Sequence, residues 1–427
     1  MDGAVRAVGV DDARPSLSTV TGDQWLAFGA TMSGWILDAF DYNILAIVLI
    51  DIQKSFTIDS TLAGLLPTVT LIMRLVGGVA AGASADRWGR KIPLILSVLW
   101  FSAFAFFSGF SSSYTMLFGL RALFGIGMGG MWAAGMPLVI EHWPARLRGV
   151  VSGLLLGGWY WGYLLAAVAF QFLFPLFSGD TAWRAMFWIA ILPGLLTLWL
   201  TSRVPESPLW LERQRKLQAN RRALSNEPKF SLVRIFQRDL IGTTLQTTAV
   251  IGAFMCSFYS IGTWYATLLR REQRPTLPYL VAFNLGAICG TAAWGRSSEG
   301  RLGRRGAVTI TALLGIASIP LYLYATSPQL LFLGAFMMGA FGCGIWGMAP
   351  AYVTERYPTE ARGVGPGFCY HAAAAIGALM PLLIGWMDDR GTPLAAAMAM
   401  PIAVSLLLSA TLIWLGPETR GRVFSAE

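Results

Sequence analysis

Four charged residues of this 427-residue chain fall inside long apolar runs rather than between them: Asp38, Asp41, Arg74 and Arg121. An ionised carboxylate or guanidinium in the middle of a membrane helix costs about 2.5–3.5 kcal/mol on insertion scales, so such residues are rare and mostly functional. Asp38 and Asp41 are three apart and share one helix face. Desolvation favours a neutral carboxyl, and a nearby Arg favours the carboxylate. An Arg that leaves its Asp to bind an anion therefore lets the Asp take up a proton. That exchange couples anion entry to proton entry, with Asp41 the first choice as carrier and Asp38 the second. The competing reading is that both carboxyls only bond neighbouring helices.

Arg121 lies about as deep in its run as Asp41 does in its own, at 1.5 Å per helical residue, so the two are expected to face each other. Arg121, Gly125, Met128 and Trp132 form one stripe at helical spacing. An Arg forks onto a carboxylate with two charge-assisted hydrogen bonds, which makes Arg121 a substrate-binding candidate. Arg74 sits nearer the other end of its run, where it either snorkels to the surface or supplies a second anion-binding charge. Tyr259, Asn284, His371 and Trp346 complete the candidate substrate site. Aromatic residues and a lone His in a helix are otherwise packing or hydrogen-bonded residues. The four cysteines stand on four separate runs without metal-ligand spacing.

The elements that must hold these residues are membrane helices. Hydrophobic residues make up 55% of the chain and charged residues 13%, with a mean hydropathy of +0.57. About 25% charged residues is usual for a soluble protein, so soluble multidomain surfaces are ruled out. Twelve apolar runs approach the ~20 residues that a spanning helix needs: near 25–49, 61–82, 93–110, 115–140, 149–174, 183–202, 240–268, 277–295, 306–325, 329–353, 364–387 and 393–416. Run six is the weakest, because Trp183 and Arg184 stand at its edge. The expected fold is all-α, with twelve transmembrane helices in two pseudo-symmetric six-helix bundles. The expected organisation is a cytoplasmic tail 1–24, a first bundle 25–202, a cytoplasmic linker 203–239 with short surface helices, a second bundle 240–416 and a cytoplasmic tail 417–427.

Charge sets the topology. The net charge is +9. Segments on the side of the termini hold 24 Lys and Arg, and those on the opposite side hold 6. That asymmetry puts both termini in the cytoplasm. Arg270, Arg271 and Arg274, all in one loop, run against it. The basic balance thus reports orientation rather than nucleic-acid binding, since the cations fall in short clusters between apolar runs.

The two halves repeat. "EHWPARLRG" (141–149) returns as "ERYPTEARG" (355–363), a shift of 214 that also carries Gly130 and Trp132 onto Gly344 and Trp346. "GASADRWGRK" (82–91) returns as "GRSSEGRLGRR" (295–305), and "PES" (205–207) as "PET" (417–419). Parallel six-helix repeats are the arrangement of transporters whose substrate sits between the halves at mid-membrane.

These motifs resemble the major facilitator superfamily over about residues 25–418. The carrying residues are Gly82, Ala85, Asp86, Arg87, Gly89, Arg90 and Lys91 in the loop between helices two and three, Arg121, Gly125, Gly127 and Gly129 in helix four, and "PESP" at 205–208. Within it, "DAFD" (38–41), Arg74, Arg121 and "RGVGPGFCY" (362–370) are similar to the sialate:proton symporter group, which includes sialic acid and lactate/pyruvate permeases. Met131 stands where many members carry an acidic residue. The resemblance implies a cytoplasmic charge network that closes the inner side in the outward-facing state: Asp86, Arg90, Glu141 and Arg148 in the first half, Glu299, Arg304, Glu355 and Arg362 in the second.

The expected function is proton-coupled symport of a small organic anion, a monocarboxylate such as sialate or lactate, by alternating access in the bacterial inner membrane. The partners are the anion, the proton and the lipid bilayer. The chain acts as a monomer, with no nucleic acid, no metal and no cofactor beyond the coupling proton. The alternative is a proton-coupled antiporter exporting a drug or metabolite. Such antiporters carry a Gly-Pro motif in helix five, and 153–165 reads "GLLLGGWYWGYLL". No nucleophile and base converge as an enzyme requires.

Overall fold

In the computed structural model the described residues are 20–144, 147–219, 232–358, 361 and 364–420. All regular structure among them is helical. Twelve long helices follow the expected order: α1 Gly22–Phe56, α2 Ser60–Trp88, α3 Lys91–Ser108, α4 Tyr114–His142, α5 Arg148–Leu173, α6 Asp180–Arg203, α7 Ile241–Arg271, α8 Thr276–Ser298, α9 Gly303–Leu323, α10 Pro328–Glu355, α11 Val364–Asp389 and α12 Leu394–Leu415. Among the described residues, eleven helices are long and apolar enough to cross a membrane. The twelfth, α1, has 35 residues and is buried along nearly its whole length from Ala27 to Gln53. It is the interior helix of the first half. Run six returns as α6, with Trp183 buried and Arg184 donating to the carbonyls of Gly109 and Ser111.

Helix ends obey ordinary capping. Thr21 opens α1 with a capping box to Gln24, and the Asp59 carboxylate accepts from Leu62 N at 2.7 Å to open α2. Two helices are interrupted. In α4 a π-helical stretch covers Met131–Gly135, and in α10 another covers Met338–Gly342, followed by a 3-10 turn at Gly344–Gly347. Such interruptions inside helices occur frequently at functional sites. The sequence runs had read as unbroken here. Of the linker, the described parts are a helix, Pro208–Ala219, and a short turn, Leu232–Phe236.

The sequence repeat is also a repeat of contacts. A side-chain carbon added at Gly77 of α2 would fall on the backbone of Ile126 in α4. The corresponding Gly290 of α8 meets the backbone of Ala340 in α10 in the same way. Gly125 abuts the Thr70 carbonyl, and Gly339 abuts the Phe283 carbonyl. Each pair is displaced by 213 residues from α2 to α8 and by 214 from α4 to α10. Small residues let backbones approach where lipid supplies no hydrophobic drive. The two halves meet where α2 packs along α11 and α5 along α8. Gly64 and Gly385 bring α2 and α11 to backbone contact, and Gly162 does the same for α5 on α1.

Gly77→Val and Gly290→Val are each expected to lower the stability of the purified protein by about 1–3 kcal/mol, because the added carbons meet backbone that is unable to yield. Thermal unfolding in detergent reads this. Gly153→Ala, where nothing lies within 4 Å, is expected to leave the midpoint unchanged or slightly raised.

Candidate functional site

The four interior charges are all buried: Asp38 and Asp41 are 0% exposed, Arg121 0% and Arg74 1%. Asp38 and Asp41 project from the middle of α1, Arg74 from α2 and Arg121 from α4. Arg74 does not snorkel. Its Nη2 lies 3.6 Å from Oδ2 of Asp38, an ion pair too long to be a hydrogen bond. The Asp38 oxygens and the Arg74 Nε and Nη2 atoms make no hydrogen bond, so the donors of Arg74 are not consumed by its carboxylate. The guanidinium carbon stands 5.4 Å from the Trp35 ring centre, 5.7 Å from Trp159 and 6.0 Å from Tyr370. Rings at these distances hold a cation electrostatically without occupying its hydrogen-bonding edge.

The expected Asp41–Arg121 pairing is one of electrostatic field rather than of hydrogen-bond contact. The Arg121 Nε and Nη2 atoms donate to the Ser108 hydroxyl at 3.2 and 3.1 Å. Its guanidinium lies 4.2 Å from the Phe124 ring centre and 4.9 Å from Phe187. Asp41 stands in the field of Arg121 and of Asp38 without a direct hydrogen bond to either. The close ion pair is therefore Asp38–Arg74, one helical turn from the pair that depth matching had favoured. Depth along a helix says nothing of azimuth, and azimuth decides which neighbour a side chain meets. Beside Gly125 the stripe leaves no open space, since the Thr70 carbonyl of α2 lies against it. Met128 is fully buried in the core and Met131 packs against Gly34 of α1.

Trp132, Trp346, Tyr259 and His371 gather around an aromatic cluster between the halves, and among the described residues Asn284 does not join it by any hydrogen bond. Trp132 of α4 stacks on Tyr370 of α11 at 4.1 Å and 7°. Trp346 meets Phe254, Phe258 and Tyr370 edge-on at 6.0–6.3 Å. Tyr42 of α1 faces Tyr259 of α7 at 6.1 Å. His371 is buried, edge-on to Tyr370, and its ring fills the space left by Gly78 of α2. The Asn284 amide donates to the Leu280 carbonyl of its own helix at 2.8 Å, leaving its buried oxygen open. Tyr42, Trp159, Tyr160, Tyr163, Phe258 and Tyr259 border a cavity of about 10 Å³ for the centre of a water molecule, room for about one water. Trp35, Tyr42, Trp159 and Tyr370 escaped the sequence reading. Trp35 and Tyr42 were findable, because they share a helix face with Asp38 at spacings of three and four. Trp161, by contrast, points outward, 47% exposed.

The repeat separates scaffold from site. Shifts of 213 and 214 that preserve the paired glycines carry Arg74 onto Ala287 and Arg121 onto Ala335. Both interior cations thus belong to the first half alone.

The rim charges pair within each half. Arg90 meets Glu141 at 3.2 Å, and Ser207 donates to the same Glu141 carboxylate. Arg304 meets Glu355 at 2.9 Å, Glu299 at 2.6 Å and the Ser298 hydroxyl at 2.6 Å. Neither cluster bridges the two halves among the described residues. The side chains of Asp86 and Arg148, and Arg362 itself, lie outside the described residues. The "PES" and "PET" glutamates lock these clusters. Glu206 accepts from the backbone N–H of Arg90 and Lys91 at 2.8 and 3.2 Å, capping α3. Glu418 accepts from Arg304 and Arg305 at 2.9 and 3.0 Å, capping α9. Gly89 and Gly303 precede these caps with φ of 96° and 67°, which disfavours any side chain, and a β-carbon there would strike the glutamate.

Two repeated six-helix halves, with charges buried in the interior of the first, are the arrangement of a secondary membrane transporter. The family model described as Major Facilitator Superfamily matches residues 31–279 and 276–427, and the chain belongs to that family. It is 30% identical to a probable 4-methylmuconolactone transporter of Cupriavidus pinatubonensis, over 92% of this chain and 90% of that protein. It is 26% identical to the sialic acid transporter NanX of Escherichia coli, over 92% and 93%. Among solved structures, a D-xylose–proton symporter superposes with a TM-score of 0.75 at 19% identity, covering 93% of this chain and 99% of that one. The chain is thus a multi-pass membrane transporter with organic-acid transporters among its relatives.

Burial raises the Glu418 carboxyl, but the N–H groups of Arg305, Arg304, Arg420 and Thr419 outweigh it and hold the group below its ordinary 4.5. A carboxyl depressed in the fold stabilises above its unfolded value, and that contribution is lost as pH falls through the folded value. Glu418→Gln is therefore expected to lower the unfolding temperature at pH 7. The gap to the parent protein is expected to narrow below pH 4.5, as a pH series of melting curves reads.

Proposed function

We propose that this protein is a proton-coupled symporter that imports a small organic monocarboxylate by alternating access, with both termini in the cytoplasm and a single chain as the working unit. The observation that carries this reading is the Asp38–Arg74 ion pair, too long for hydrogen bonds and ringed by Trp35, Trp159 and Tyr370. An incoming carboxylate takes the free edge of Arg74 with two charge-assisted hydrogen bonds. Asp38 then loses its counter-charge, and a buried carboxylate without one is neutralised most cheaply by a proton. Asp41, unbonded and in the field of Arg121 and Asp38, is the second proton position and the first choice as carrier.

The rings of Trp35, Trp159 and Tyr370 around Arg74 support a flat acid, whereas a polyhydroxylated acid such as sialate needs many polar partners on burial. A planar carboxylate stacks on Trp and Tyr and needs only the Arg. The relative described as a 4-methylmuconolactone transporter agrees with a small ring-bearing organic acid, and NanX keeps sialate as the comparison substrate.

The test is uptake of labelled benzoate, lactate and sialate into proteoliposomes with an imposed pH gradient, acid outside. Uptake of at least one acid is expected to rise with the gradient, with benzoate ahead of sialate. Asp41→Asn is expected to abolish gradient-driven accumulation while retaining exchange of substrate across the membrane. Arg74→Ala is expected to weaken substrate binding by about 3 kcal/mol, or about a hundredfold, the cost of losing a charge-assisted pair. Equal uptake without the gradient, and in Asp41→Asn, removes Asp41 from the coupling.

A further inference from the structure

The loop that breaks the charge asymmetry, Arg270, Arg271 and Arg274, lies on the face opposite the termini, and two of its arginines cross from the second half to the first. Arg270 of α7 grips Asp51 of α1 with both guanidinium nitrogens, Nη2 to Oδ1 at 2.8 Å, and donates to the Ile47 carbonyl at 3.1 Å. The Phe170 and Phe174 rings of the first half flank it at 5.1 and 5.4 Å. Arg271 holds Asp388 of α11 at 3.0 and 2.9 Å and reaches the Ser60 hydroxyl of α2 at 3.1 Å. Asp389 completes the second fastening. Its carboxylate accepts from the first two N–H groups of α2, Ser60 N at 2.9 Å and Thr61 N at 2.6 Å, so one half caps a helix of the other.

Below these charges the seam is backbone against backbone. Gly64 meets the Pro381 carbonyl, Gly385 meets the Ser60 carbonyl, and Thr68 donates to the Ala378 carbonyl at 2.7 Å. On the side of the termini the halves meet differently. There the cover over Arg74 is the Trp132–Tyr370 stack and His371 against Gly78, while the rim charges pair within each half. A bidentate ion pair, a bridging Arg and an intermolecular-style helix cap all break when the opposite face opens. Among the described residues, the Trp132–Tyr370 stack and the His371–Gly78 contact break when the terminal face opens.

We propose that Asp51–Arg270 and the Arg271–Asp388–Asp389 cluster on Ser60 and Thr61 form a two-point latch that closes the outer mouth of the transporter between the halves. The latch explains why cations stand in a loop where topology disfavours them: Arg270 is the partner of Asp51 of the other half, and Arg271, paired with Asp388 of its own half, reaches across to the Ser60 hydroxyl. Both pairs are partly exposed, with side-chain exposure of 18% on each member of the first and 33% and 13% in the second. Each therefore biases the opening equilibrium modestly and reversibly, as a gate in a working cycle requires. The inference rests on the alternating-access reading but not on its substrate.

The test is the distance between spin labels at Ser112→Cys and Gln329→Cys, exposed on the latch face of opposite halves, in full-length protein in nanodiscs with the four native cysteines replaced. No substrate is added, so failure of the latch and failure of the transport assignment are distinguishable. The parent protein is expected to give a mainly short distance. Asp51→Asn and Arg271→Gln are each expected to raise the ratio of long to short distances about two- to fivefold, the effect of a partly exposed pair. Asp51→Arg with Arg270→Asp is expected to return the short distance. If Asp51→Asn does not yield monodisperse protein, Asp388→Asn reads the same latch. A distribution unchanged in the single variants, or a charge swap that leaves the long distance in place, overturns the proposal.

Discussion

The structure depends on keeping Arg74 charged inside an apolar bundle. A guanidinium 1% exposed is tolerable only with a counter-charge and polarisable neighbours, and it has Asp38 for the first and Trp35, Trp159 and Tyr370 for the second. Those partners come from α1, α5 and α11, so satisfying one side chain draws three helices onto α2. Two of them belong to the same half and the third to the other. The central charge is thus also a point at which the halves hold each other. Because the ion pair is loose at 3.6 Å, it leaves open a role for a further anion.

Around that centre the molecule divides its labour by symmetry. What repeats is scaffold: Gly77 against Ile126 and Gly290 against Ala340, Arg90–Glu141 and Arg304–Glu355, Glu206 and Glu418 capping α3 and α9. What does not repeat is the interior charge, since Ala287 and Ala335 replace Arg74 and Arg121. Two copies of one bundle give a pseudo-twofold frame in which rocking is easy. A charge placed in one copy only gives that frame a direction of chemistry. Among the described residues the rim clusters bond inside their own halves, Arg90 to Glu141 and Arg304 to Glu355.

The contacts between the halves are therefore few in kind and unequal in character. Ion pairs, a helix cap and glycine-permitted backbone contact stand on the face opposite the termini, and stacked rings stand on the other. The cavity bordered by Tyr42, Trp159 and Tyr259 between the halves has room for about one water. The interruptions of α4 and α10 lie in the helices that carry Trp132 and Trp346.

Much of this was legible in the chain itself. Apolar run length placed the twelve helices to within a few residues, because membrane crossing sets a physical minimum that short segments fail to meet. The fixed offset between motifs revealed two halves, since loop chemistry alone does not preserve spacing. The cost of burying charge singled out Asp38, Asp41, Arg74 and Arg121. Partnership was not legible. Asp38 rather than Asp41 forms the close ion pair with an Arg, and Arg74 is central rather than snorkelling. Each of these depends on the rotation of a helix about its axis and on how closely a neighbour approaches. Glycines at Gly77, Gly125 and Gly162 set those approaches, and only the packed structure says which backbone each one meets. The arginines at 270 and 271 looked like an exception to topology, and the fold assigned them partners because it brings acids more than a hundred residues away to the same rim.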